Sequence, residues 1–182
     1  MEFSTTQDFP AGLDQLWAVF GHREYPRQKY LALGATAVRL HRFETTVQSI
    51  EVELERDVPL VKARLPGWAH KLLGSEQTLR HCTAWRRIGA TQIAAELDIT
   101  PAGLPLRAHG TGTIVEVGPQ TTRMALTWQV DSRLPVMRAK VERLFADQVR
   151  AALDDDHRFT VDYLHNVSKK RSRNALNQPE SA

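Results

Sequence analysis

Cysteine occurs once in the 182 residues, at Cys82. A single thiol excludes an intrachain disulfide framework and a thiolate metal cluster. Long apolar runs are missing too, since nothing approaches the ~18 residues that a membrane-spanning helix needs. The opening stretch MEFSTTQDFP has neither a basic region nor an apolar block, so no signal peptide is read there. From these absences a cytoplasmic protein is expected. Metal and nucleophile motifs are lacking as well. The seven histidines form no H-E-x-x-H or H-x-H pair, and no G-x-S-x-G elbow is present.

What is there has ordinary globular composition, 42% hydrophobic and 25% charged, enough for one domain with a sizeable core. The net charge of +3 is local. Lys169, Lys170, Arg171 and Arg173, set against Glu180 alone, account for all of it and leave residues 1–166 formally neutral. The polar stretch 166–182 buries too little apolar surface to fold and reads as a disordered tail. Four charges are few for nucleic acid, so that partner is not expected.

Hydrophobic periodicity orders the rest. EFSTTQDF reads as a strand. Leu13, Leu16, Trp17 and Phe20 recur at helical spacing before Gly21, and a second short helix spans about His22 to Leu33. A β region follows. Ile50, Val52, Leu54 and Val58 alternate with acidic residues, and Arg56 interrupts their apolar row. Leu79, His81, Thr83 and Trp85 share one strand face. Ile93, Ala95, Leu97 and Ile99 share another, as do Met124, Leu126, Trp128 and Val130. Such alternation marks antiparallel strands with one buried face. Pro135 then opens a long helix, with an apolar stripe through Met137, Val141, Leu144, Phe145, Val149 and Ala152, and with Arg138, Lys140, Glu142, Arg143 and Asp147 largely on the other, solvent side.

The stretch AHGTGTIVEV tests the alternatives. Glycines that cradle phosphate lead into a helix N-terminus. Gly110 and Gly112 lead instead into TIVEV, a strand, where glycine marks a bend or a close approach. A phosphate site is therefore rejected.

Three stretches carry a resemblance: FSTTQDFPAGLDQLWAVF, GTGTIVEVGPQTTRMALTWQV and LPVMRAKVERLFADQV. Over residues 1–165 the chain resembles the helix-grip superfamily of START and Bet v 1-like proteins (SRPBCC, polyketide cyclase-like), and within it a bacterial family of unknown function. The resemblance implies an α+β fold, with a curved antiparallel sheet of about six to seven strands around a long C-terminal helix. It also implies an apolar cavity between them, used in the superfamily for lipids, sterols and polyketides.

The expected function is therefore binding of a hydrophobic or amphipathic small molecule, without cofactor or metal. The expected lining is Trp85, Ala95, Leu97, Leu126 and Trp128 from the sheet, with Met137, Val141 and Phe145 from the helix. Arg56 and His81 would orient a polar end, while Arg39 and His41 are further polar candidates. The alternatives are a cyclase- or hydrolase-like enzyme with His81 as acid or base, and an interaction protein docking through its basic tail or through LPGWAHKLLG. That segment reads as a connecting helix packed on the sheet; in the alternative, Trp68, Leu72 and Leu73 would form a lid or touch a membrane surface transiently. His41, His81 and His109 are candidates for a zinc trio only if they converge. Cys82 lies opposite His81 in its strand and is not expected to be activated. Asp154 to Asp156 read as a solvated patch.

Overall fold

A computed structural model describes residues 1–59, 75–134 and 137–176. Strand β1 (Glu2–Phe9) leads into two short helices, α1 (Leu13–Phe20) and α2 (Tyr25–Ala32). Helix α1 places Leu13, Leu16 and Val19 on one buried face. Gly12 precedes it in extended backbone, its N–H donating to Gln15 Oε1 at 3.3 Å. Gly21 ends it, with its N–H donating to the Trp17 carbonyl at 2.9 Å. In α2 the proline at Pro26 suits the first turn, and Tyr25, Pro26 and Tyr30 point inward.

Six further strands follow: β2 (Ala37–Thr45), β3 (Ser49–Pro59), β4 (Glu76–Arg87), β5 (Gln92–Pro101), β6 (Leu106–Gly118) and β7 (Thr121–Ser132). All pairings are antiparallel, in the order β1-β7-β6-β5-β4-β3-β2. Strands β2 to β7 thus form a meander and β1 adds to its far edge, so α1 and α2 carry the chain across the sheet. Irregularities between Leu40 and Arg42, and between Glu116 and Gly118, add bend and twist.

Period-two burial is cleanest in β7, where Met124, Leu126, Trp128 and Val130 are buried between exposed neighbours. Gly110 and Gly112 lie inside β6, opposite Trp128 and Leu126. A Cβ on Gly110 would stand 2.8 Å from the Trp128 indole, and one on Gly112 would stand 1.9 Å from the Ala125 carbonyl. The glycines therefore admit a close neighbour, as expected of glycine within a strand.

The long helix α3 (Arg138–Leu176) lies on the concave face. Val141, Phe145, Val149 and Leu153 are buried at four-residue spacing, continued by Thr160 and Leu164. Each large apolar side chain buried in this way contributes about 1.5–3 kcal/mol.

Two expectations need correction. Met137 is not on the helix stripe: it has φ 64° and is 37% exposed, just before the helix begins. Pro135 lies outside the described residues. Glu142, expected on the solvent side, is buried. It accepts the Ser132 N–H at 3.0 Å and Arg138 Nε at 2.7 Å, tying the end of β7 to the first turns of α3. Helix α3 is described to Leu176. Trp68, Leu72 and Leu73 lie outside the described residues. No helix among the described residues is long and apolar enough to cross a membrane.

Candidate functional site

Between α2, α3 and the concave face is a cavity of about 80 Å³. Five of the expected residues line it: Arg56, His81, Trp85, Leu97 and Trp128. Ala95, Leu126, Val141 and Phe145 are buried in the adjoining core instead, packed rather than facing the void. Met137 is on the surface. Phe20 stacks on Trp85 with ring centroids 4.9 Å apart, and Val149 and Leu153 close the side formed by α3.

The polar end follows from strand register. Arg56 occupies the inward row of β3 with Ile50 and Leu54, and it is 7% exposed. His81 of β4 stands opposite Leu54, which sets it diagonal to Arg56. Arg56 Nε donates to His81 Nε2 at 3.0 Å. That nitrogen is therefore unprotonated, and a neutral ring carries its proton on Nδ1. Nδ1 lies 3.5 Å from the Tyr30 hydroxyl, a long contact in which the imidazole is the donor. Burial, then the nearby Arg56 and Lys29 charges, hold the His81 pKa well below the usual histidine value. The imidazole is neutral.

Helix α2 brings two aromatic rings and a cation to the same end. Tyr30 has the Arg56 guanidinium 4.3 Å and the Lys29 ammonium 4.5 Å from its ring centroid. Lys29 Nζ donates to Asp156 Oδ2 at 2.7 Å. Burial alone would lower the Lys29 pKa, but attraction to Asp156 and the neighbouring tyrosines carries it above the ordinary lysine range. Thr160 Oγ1 donates to the Asp156 carbonyl at 2.6 Å, so Tyr25 is the donor in its own 2.6 Å bond to Thr160 Oγ1. Burial pushes the Tyr25 phenol up to about 12.

Lys29, Tyr25, Tyr30 and Asp156 were not legible as site residues, and Asp156 corrects the reading of the aspartate run. Asp154 and Asp155 are exposed. Asp156 sits at i+3 from Leu153 and i−4 from Thr160, on the buried ridge of α3, and that phase was the available signal.

Other polar candidates face the opposite side of the sheet. Arg39 pairs with Asp57 at 2.6 Å, and His41 Nε2 lies 3.3 Å from Glu55. His109 Nδ1 lies 3.2 Å from Asp98, so His41, His81 and His109 do not converge. Glu96, Asp98 and His109 bring potential ligand atoms within 4.8 Å of one another. Arg107 already bonds the Asp98 carboxylate there, leaving that group committed to a cation. Cys82 is half-buried, and burial pushes its thiol up, away from an activated thiolate.

A curved antiparallel sheet gripping one long helix is the helix-grip fold of START and Bet v 1-like proteins. The chain belongs to the family described as Protein of unknown function (DUF2505), whose model matches residues 4–164. No curated protein sequence matches it. Among solved structures, a START superfamily protein from Mycobacterium smegmatis is similar at TM-score 0.52 and 15% identity. The alignment covers 91% of this chain and 98% of that one. A conserved protein from Geobacillus kaustophilus is similar at TM-score 0.56 and 8% identity, over 91% and 96% of the two chains. Norcoclaurine synthase from Thalictrum flavum, solved with dopamine and hydroxybenzaldehyde, gives TM-score 0.53 and 13% identity, over 89% and 87%. At such identities the likeness concerns the fold.

Proposed function

We propose that this chain binds a small apolar or amphipathic molecule between α3 and the sheet, with Arg56 and His81 at the polar end. The observation that carries the reading is the cavity itself, with aromatic and aliphatic walls and polar groups gathered toward α2. Pockets of this kind combine apolar walls with a few placed polar groups. A fold shared with proteins that hold small organic molecules, such as the synthase solved with dopamine and hydroxybenzaldehyde, supports it by analogy.

Size limits the ligand. About 80 Å³ is well below the ~300–1,000 Å³ of ordinary ligand pockets. It is also smaller than the ~150 Å³ apolar cavity that takes benzene. A whole lipid chain does not fit the void as it stands. The reading is of a small ligand, or of the apolar end of a larger one, admitted with side-chain adjustment.

The enzymatic alternative gains less support. His81 gives its acceptor nitrogen to Arg56 and is held neutral, so it is not a free base. A shift of the Trp85 and Trp128 indole N–H signals on adding benzene, together with a small-molecule mass retained in native mass spectrometry, is the expected result. If benzene moves neither signal and no mass is retained, the binding reading fails.

A further inference from the structure

We infer that the cavity selects a ligand carrying a carboxylate or an equivalent anion on a small apolar body, held by Arg56 and Tyr30. This deepens the binding reading above and rests on it.

The argument is one of hydrogen-bond direction. Arg56 donates to His81, and His81 faces the Tyr30 hydroxyl with its remaining N–H. Tyr30 is thus approached by a donor, and its own proton has no acceptor among the described residues. The four Nη hydrogens of Arg56 have no carboxylate partner among the described residues, although the side chain is buried. Trp128 lines the same cavity, and its buried Nε1–H likewise lacks an acceptor among the described residues. Three donor groups of this site therefore await an acceptor.

Charge points the same way. Among the described residues, the cations lining the cavity are Lys29 and Arg56. Asp156 is taken up by Lys29, although its Oδ1 has no donor among the described residues. The Asp98 carboxylate is turned to Arg107 and His109 on the outer face. Among the described residues, Arg56 is left to the Tyr30 ring and a neutral imidazole, and neither cancels its charge. A buried cation without a counter-charge is costly, and a planar guanidinium fits a carboxylate edge to edge. An ammonium ligand would meet a net positive charge, two cations against the one Asp156 carboxylate. A neutral alcohol would leave the guanidinium uncompensated.

The test compares three one-ring probes on the full chain: benzoate, benzyl alcohol and benzylammonium, each titrated by tryptophan fluorescence. Benzoate should bind at least about tenfold more tightly than either of the others, as expected of a charge-assisted hydrogen bond in a buried site. Arg56→Met should erase that preference, weakening benzoate at least about tenfold more than benzyl alcohol. Tyr30→Phe, which keeps every charge, should weaken benzoate several-fold and benzyl alcohol little. Equal affinity for the three probes, a preference for benzylammonium, or a benzoate preference that survives Arg56→Met overturns the anion proposal while leaving the pocket standing. Failure of all three probes to bind overturns the binding reading and the proposal together.

Discussion

Nε of Arg56 donates to Nε2 of His81 across 3.0 Å, joining two buried side chains from adjacent strands. The bond fixes the histidine tautomer and, with burial, disfavours its protonation. Stability should therefore depend on pH in a definite direction. Below the ordinary histidine value of about 6.5, the unfolded chain takes up a proton at this residue that the native state refuses. Native stability should fall as pH drops through that range, by up to about 1.4 kcal/mol per pH unit from this one group. His81→Gln keeps an acceptor for Arg56 but cannot titrate, so its stability between pH 7 and 5 should be flatter. Urea melts of both proteins across that window make the comparison, and parallel curves would sink it.

Lys29 and Asp156 form the second pair at this end, 2.7 Å apart with side chains 14% and 22% exposed. Asp156→Ala leaves an ammonium largely buried without its partner. The expected cost is about 3 kcal/mol, at the lower end for breaking a buried pair because both groups retain some contact with solvent. Replacing both, as Lys29→Met with Asp156→Leu, removes the stranded charge and should recover most of the loss. A double variant as unstable as Asp156→Ala would show that the pair is not what the single change removes.

The contrast between these two pairs explains what was readable beforehand. Strand alternation announced the sheet, because a period of two places Ile93, Ala95 and Ile99 on one buried face whatever the partner strand. The same pattern marked Arg56, as the residue that interrupts an apolar row. Lys29 gave no such mark, since α2 is short and mostly polar, and only tertiary placement beside α3 gives its charge a partner. Met137 failed for a different reason. Its phase matched the helix stripe, but a left-handed backbone at that residue delays the helix to Arg138. Periodicity reports a face and does not report where the turn begins.

The two strand glycines should respond differently to the same added methyl. At Gly110 the obstacle is the Trp128 side chain, 2.8 Å from the new Cβ. Gly110→Ala should cost about 1–3 kcal/mol by overpacking, and the cost should shrink in a Trp128→Leu background. At Gly112 the obstacle is the Ala125 carbonyl, 1.9 Å away and part of the backbone, so the same background should bring no relief. Gly89→Ala, with nothing within 4 Å, should stay within about 0.5 kcal/mol of the parent. Thermal melts of the six variants, including Trp128→Leu alone, give the couplings directly.

Finally, the position of the void predicts two substitutions of opposite sign. Ala95 is 4% exposed, faces Gly112 and Trp85 in register, and belongs to the packed wall. Ala95→Phe has no empty space to enter, so neighbouring side chains must leave their rotamers, at a cost of about 1–3 kcal/mol or more. Ala152 lines the cavity from α3. Ala152→Leu keeps a good helix former and sends its added carbons toward the void, where each buried methylene contributes up to about 0.8 kcal/mol. Its melting temperature should hold or rise while benzene binding weakens, because substituent and ligand compete for one space. Destabilisation by Ala152→Leu as severe as that by Ala95→Phe would mean that the space beneath α3 is already closed to a few carbon atoms. A ligand of any size would then have to open it.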